Sequence, residues 1–301
     1  MGVKRSTTRE LSSSLWLVKL VSYLADERER YGIVSPDGDG VIDVSERMDG
    51  AATLRDVLDQ DRIHELGELA ASGVAEHALA DIEFLLPITE PRKIFCAGRN
   101  YVGYHEVVEH RKTPEYPSIF ARFSSSFSPH RQPILEPKAG EQLDYEGELV
   151  VVIGKTGRHI SQEEAFDYIA GYTCMNEGTV RDWMGKGTQN TPAKNFYRSG
   201  SVGPWMVTAD EIPDPSRLRI TTRRNGAVVQ KGGTEQMIFP VTYLMAHISK
   251  FTVLEPGDLI ATGSPGGSAI ESASPEWLRD GDEIEVEISH IGTLRNPVAA
   301  E

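Results

Sequence analysis

Cysteine is almost absent from this chain: Cys96 and Cys174 are the only two in 301 residues, each inside an apolar stretch. Two such thiols can build neither a disulfide framework nor a cysteine metal site, and they fit a reducing compartment. The cytoplasm is the expected location. Long hydrophobic runs are missing too. No apolar segment nears the roughly 20 residues that a bilayer crossing needs, so no membrane role is expected. Basic charge is in the minority, 31 Lys and Arg against 45 Asp and Glu, which leaves a formal net charge of −14. Such a surface repels phosphate backbones and argues against a nucleic-acid partner. Met1 to Leu15 is rich in Ser, Thr and Arg and has no signal-peptide apolar region, so residues 1–15 are expected to be a disordered tail.

What is present is an ordinary globular composition, 39% hydrophobic and 25% charged, which allows a sizeable core. The length suggests two units. Residues 16–89 read as a small N-terminal domain: strand chemistry at Trp16 to Tyr23, then Tyr31 to Val34 and Val41 to Val44 around Pro36-Asp37-Gly38-Asp39-Gly40, a hairpin signal. Leu54, Val57, Leu58, Ile63, Leu66 and Leu69 have helical periodicity, expected in two pieces. Residues 90–301 form the larger, strand-rich part. Lys93 to Gly98 reads as a buried strand, and Glu148 to Gly154 is the strongest strand of the chain. Ser161-Gln162-Glu163-Glu164 reads as a capping box that starts a short helix through Ile169. Asn225-Gly226 between Leu218–Arg223 and Ala227–Gln230 is a type I′ hairpin signal, and a helix is expected near Val241 to Lys250. The fold class is therefore α+β and β-rich. Gly263-Ser264-Pro265-Gly266-Gly267 lacks the Lys and following helix of a phosphate loop.

The chemistry concentrates in Asp144-Tyr145-Glu146-Gly147-Glu148, which leads into that strongest strand. In an extended chain residues i and i+2 share a face, so Glu146 and Glu148 converge. Two carboxylates beside a hydrophobic strand repel each other and lose solvation, costs that a divalent cation resolves. Alone, such a pair is more often the exposed face of a strand. The segment Asn176-Glu177-Gly178-Thr179-Val180-Arg181-Asp182-Trp183 offers Glu177 as a third carboxylate, and Arg181 and Asp182 as a local ion pair or an anion anchor.

In order and spacing these motifs resemble the fumarylacetoacetate hydrolase family, in particular its small bacterial-type members. The resemblance spans about residues 90 to 301. It rests also on Gly98-Arg99-Asn100-Tyr101, Pro192-Ala193-Lys194-Asn195-Phe196, Ser201-Val202-Gly203-Pro204-Trp205, Thr262 to Gly267 and Gly292 to Val298. It implies a mixed β-roll catalytic domain, a homodimer, and a metal site of Glu146, Glu148 and Glu177. Many members carry Asp where Glu177 stands. An all-oxygen site of this kind favours Mg²⁺ or Mn²⁺ over Zn²⁺. The resemblance also implies a general base, His105, oriented by Glu106 or Glu109. The i, i+4 spacing on a helix favours Glu109. Lys194 takes the place of the family's catalytic-site lysine and Arg181 that of its substrate-orienting arginine, with Thr262 and Ser264 as further substrate contacts. Met184 stands where relatives often have Gln. Arg122 is read equally as a partner of a substrate carboxylate or as a structural ion pair.

The implied activity is metal-dependent hydrolysis of a carbon–carbon bond in an acylpyruvate or other β-diketo acid, a small-molecule oxo acid. Two alternatives stand beside it: decarboxylation or keto–enol isomerisation of oxaloacetate-like acids at the same site, and a non-catalytic ligand-binding protein on the same scaffold.

Overall fold

A strand that is apolar on both faces must be covered on both faces, and this requirement organises the molecule. The structure is a computed structural model that describes residues 18–102 and 114–301. The expected 1–15 tail, His105, Glu106 and Glu109 lie outside the described residues.

Gly147–Ile153 is buried along its whole length. Leu149, Val151 and Ile153 enter one core with Cys174, Ile220, Val286 and Leu294. Val150 and Val152 enter the other, with Leu20, Ile33, Ile42, Leu54, Val57 and Cys96. The strand lies between Ile169–Asn176 and Leu259–Ala261, antiparallel to both. Beyond Leu259–Ala261 lie Ile94–Gly98, parallel to it, and then Ser118–Ala121. On the other side, Ile169–Asn176 pairs with Gly200–Thr208. That strand in turn pairs with Lys19–Ala25, Lys19 opposite Val207 and Leu20 opposite Met206, so the N-terminal strands extend the same twelve-stranded sheet.

A second sheet of five strands packs on the Leu149 face, in the order Ala227–Gly233, Arg219–Arg224, Glu283–Ile288, Gly292–Ala300, Ile134–Glu136. Gly147 marks a point where the sheets approach closely. A Cβ there would lie 2.2 Å from Thr222 Oγ1 and 3.2 Å from Val286 Cγ1. Helices are few and peripheral, so the chain has the expected β-rich class. Leu54–Asp59 and Ile63–Ser72 are the two expected pieces, the first closed by a Thr53–Asp56 capping box. Val241–Phe251 is the expected later helix.

Asn225 (φ 52°) and Gly226 (φ 79°) form the type I′ turn that their sequence predicts. Asp26 (φ 51°) and Glu27 (φ 59°) make the same kind of turn between Lys19–Ala25 and Arg28–Val34 without a glycine. The Ser161 signal is only partly realised. Glu164 N–H donates to Ser161 Oγ at 3.3 Å, but the helix amounts to a single 3-10 turn, Ala165–Tyr168. Tyr168 C=O is drawn off to Gly154 N–H, and Ile169 already starts a strand.

Candidate metal centre

The strand Gly147–Ile153 opens at its first residues into a cavity of about 350 Å³, lined in part by Glu146, Glu148, Glu177, Arg181, Lys194 and Ser264. Alternation sets this up. Gly147 turns toward the second sheet, so its neighbours Glu146 and Glu148 turn away from it together. Glu177 arrives from the end of the adjacent strand Ile169–Asn176, and its N–H donates to Glu146 C=O at 2.7 Å. One carboxylate oxygen from each of the three lies within 4.8 Å of the others.

Each carboxylate is held differently. Glu146 accepts from Arg181 Nη2 at 2.8 Å, from Lys194 Nζ at 2.6 Å and from Thr179 Oγ1 at 2.8 Å. Glu148 accepts the Gly263 N–H at 2.8 Å, and Glu177 Oε2 accepts from Lys194 Nζ at 2.8 Å. Glu177 Oε1 is buried without a hydrogen-bond partner. Burial pushes the Glu146 carboxyl up, but Arg181 and then Lys194 outweigh it and hold it well below the ordinary range. At Glu148, burial, then Glu177 and Glu146, raise the carboxyl well above the ordinary value; Lys194 and the Gly263 N–H pull the other way but are outweighed. Burial alone would lower Lys194, yet Glu146 and Glu177 raise it, so its ammonium stays charged.

These features fit a divalent cation. The donors are all carboxylate oxygens, the choice of hard cations. One buried oxygen lacks a hydrogen-bond partner, and Glu148 is pushed up by its two carboxylate neighbours more than Lys194 offsets. A +2 charge among the three relieves both.

Of the other expected residues, Lys194 and Ser264 line the cavity. Arg181 does too, but its guanidinium is tied inward, Nε to Asp144 Oδ2 at 2.7 Å and Nη2 to Glu146. Its Nη1 lies 3.6 Å from Met184 Sδ. Arg122 is not among the residues that line this cavity. It is buried over the Phe127 ring (4.3 Å) and donates to Ser126 Oγ, Gly178 C=O and Ser199 Oγ, with Glu177 Oε1 at 3.8 Å. Thr262 is buried and spends its hydroxyl on Leu149 C=O at 2.9 Å. Four further contributions had no clear sequence signal: the Gly263 amide on Glu148, Thr179 on Glu146, the Asn176 side chain accepting Glu146 N–H at 3.0 Å, and Asp144 on Arg181. Asn100 braces the loop by donating to Thr262 C=O at 2.8 Å and to Phe239 C=O at 2.9 Å.

Comparison with known proteins agrees with this geometry. The family described as fumarylacetoacetate (FAA) hydrolase C-terminal matches residues 93–299. The Rattus norvegicus mitochondrial oxaloacetate tautomerase Fahd2a is 36% identical over 295 residues, 93% of this chain and 91% of its own. The Homo sapiens counterpart FAHD2A is 38% identical over 279 residues, 89% and 86% of the two chains. Among solved structures, the fumarylacetoacetate hydrolase of Exiguobacterium antarcticum superposes with a TM-score of 0.83 at 32% identity, over 94% of this chain and all of its own. A maleylpyruvate hydrolase from Sphingobium sp. SYK-6, in complex with manganese(II) and pyruvate, gives 0.78 at 25% identity, over 94% and 99%.

Proposed function

The chain belongs to the fumarylacetoacetate hydrolase family, and we propose that it is a divalent-metal-dependent enzyme that interconverts the keto and enol forms of an oxaloacetate-type 2-oxo acid. The observation that carries this reading is the cluster of Glu146, Glu148 and Glu177, with Glu177 Oε1 buried without a hydrogen-bond partner and Lys194 donating to two of the three carboxylates. Relatives named as oxaloacetate tautomerases, similar over about nine-tenths of the chain, support the choice of reaction.

Glu146, Glu148 and Glu177 would hold Mg²⁺ or Mn²⁺, which supplies Lewis-acid polarisation of the 2-oxo group. Lys194 places a second positive charge beside the carboxylates, where an enolate oxygen would develop. Its ammonium donates to Glu146 at 2.6 Å and to Glu177 at 2.8 Å, which holds it at the edge of the carboxylate cluster. Arg181 offers its Nη1 edge, and Ser264 its hydroxyl, to the oxygens of the acid. His105, oriented by Glu109 or Glu106, is the proposed group that would take the proton from C3 and deliver it to the C2 oxygen to give the enol, and run the same transfer backwards to regenerate the ketone. A homodimer and a cytoplasmic location are part of the same proposal. Among the described residues no helix is long and apolar enough to cross a membrane.

Hydrolysis of an acylpyruvate is the second reading, favoured by the His105–Glu109 spacing, which suits activation of a water, and by the likeness to a maleylpyruvate hydrolase. One substrate panel separates them. With Mg²⁺ or Mn²⁺, enol–ketone conversion of oxaloacetate, its decarboxylation, and cleavage of acylpyruvates are measured side by side. Metal-dependent tautomerisation that outpaces both other reactions is expected. Acylpyruvate cleavage without tautomerisation would replace this reading by hydrolysis, and silence on every substrate would favour a binding protein.

A further inference from the structure

Asp144 touches neither the cavity nor a carboxylate of the cluster, yet it is completely buried and accepts four hydrogen bonds. Arg181 Nε donates to it at 2.7 Å, Tyr145 N–H at 2.8 Å, Ala269 N–H at 2.8 Å and Ile270 N–H at 3.2 Å. Oδ2 is shared by the Arg181 guanidinium and Ile270 N–H and Oδ1 by Tyr145 and Ala269 N–H, so the carboxylate ties the guanidinium to the turn Ala269–Glu271. Arg181 extends the chain of contacts to Glu146 Oε1 through Nη2.

The loop that carries this turn also holds a second ligand from its other end, where the Gly263 N–H donates to Glu148 Oε2 at 2.8 Å. Residues 263–270 therefore grip two of the three carboxylates, one directly and one through Asp144 and Arg181. The loop is itself pinned: Asn100 holds Thr262, and Gln230 Nε2 donates to Pro265 C=O at 2.9 Å while its Oε1 accepts the Gly147 N–H at 2.9 Å.

We propose that Asp144 is a positioning residue for the metal centre: acting through Arg181, it fixes Glu146 against the 263–270 loop and so sets the affinity for the cation. The physical reason is that a carboxylate ligand binds tightly only when its orientation is fixed before the cation arrives, and outer partners supply that fixing. A guanidinium that gives Glu146 a single bond can fix it only if the guanidinium is itself fixed, and Asp144 is the one carboxylate besides Glu146 that holds it among the described residues. Without Asp144, Arg181 would keep its charge but lose its direction.

The inference rests on the metal reading above, and the test separates the two. Mn²⁺ is titrated into the full-length wild type and into Asp144→Asn, Arg181→Met, the double variant, and Asp182→Asn as a neighbouring control whose carboxylate accepts only from Glu141 and Gln142 N–H groups in the described structure. The melting temperature of each metal-free protein is recorded alongside. Asp144→Asn should weaken Mn²⁺ binding about 10–100-fold, the usual effect of losing an outer partner. Asp182→Asn should leave binding unchanged, and the double variant should bind no worse than Arg181→Met alone. If Asp144→Asn lowers the melting temperature but binds Mn²⁺ like wild type, or if the two losses add, the positioning role is wrong. Should Asp144→Asn fail to fold, Arg181→Lys serves instead: it keeps the charge and cannot bridge Asp144 and Glu146, so wild-type affinity there also overturns the proposal. Failure of the wild type to bind Mn²⁺ overturns the metal reading itself.

Discussion

At Glu148, burial and the charges of Glu177 and Glu146 all push the carboxyl up, and Lys194 and the Gly263 amide oppose them without prevailing. Glu148→Gln removes one of the repelling charges at nearly constant shape. The metal-free variant should therefore melt at or slightly above the wild-type temperature, while the stabilisation that Mn²⁺ gives the wild type disappears. Thermal melts with and without Mn²⁺ check this, and a variant still stabilised by the metal would count against Glu148 as a ligand. His130 illustrates burial of the opposite kind. Its Nδ1 accepts the Arg295 N–H at 3.0 Å and its ring meets Phe84 edge-on at 4.6 Å. Burial first, then Arg131 and Arg295, push it down to about 3. The folded value lies below the unfolded one, near 6.5, so the unfolded chain takes the proton first as pH falls. This contribution is complete above about pH 6.5 and is lost between there and about 3, at up to about 1.4 kcal/mol per pH unit. His130→Gln should lessen the fall in urea-unfolding stability between pH 7 and 5. An unchanged slope would contradict the assignment.

Among the elements, those that announce themselves by local chemistry were legible in the sequence. The run from Glu148 to Gly154, the Asn225-Gly226 turn and the broken helix after Leu54 all form where their residues predict. Misreadings arise where a distant partner decides. The Ser161 cap does form its bond, but the residues after it are claimed by a strand pairing with Gly147–Ile153, and a helix cannot continue into a sheet. The Asp26–Glu27 turn escapes because acidic residues rarely signal two successive positive φ angles. Gly147 reads from sequence only as a spacer between two glutamates. Its second role, allowing the two sheets to touch at Thr222 and Val286, emerges only in three dimensions. Gly147→Ala should cost about 1–3 kcal/mol, the range for overpacking a filled core, measured by chemical denaturation. A loss under about 0.5 kcal/mol would mean that the sheets can separate there at little cost.

For the whole molecule, the pairing of Lys19–Ala25 with Gly200–Thr208 joins segments far apart in the chain, and no local pattern forecasts it. The same holds for the site. The three carboxylates were legible because an i, i+2 pair and a family motif name them, and the structure brings them within 4.8 Å of one another. The supports were not. Asp144, Thr179 and the Gly263 amide become partners of the site only through tertiary contacts. Arg122, read from sequence with two possible roles, is buried with its guanidinium donating to Gly178 C=O and Ser199 Oγ and 3.8 Å from Glu177 Oε1, contacts that only the fold assembles. A cation that binds only the folded chain must stabilise all of it. At a hundred times its dissociation constant, Mn²⁺ should add about 2.7 kcal/mol, and chelation should reverse the gain. An unfolding midpoint indifferent to both would contradict this linkage.

The central claim is that Glu146, Glu148 and Glu177 together form one divalent-cation site, and calorimetric titration of Mn²⁺ into metal-free protein tests it most directly. The expected result is one site per chain in the wild type, with binding abolished or weakened at least ~100-fold by Glu148→Gln and by Glu177→Gln alike. Wild-type affinity in either variant, or no binding by the wild type, would contradict it.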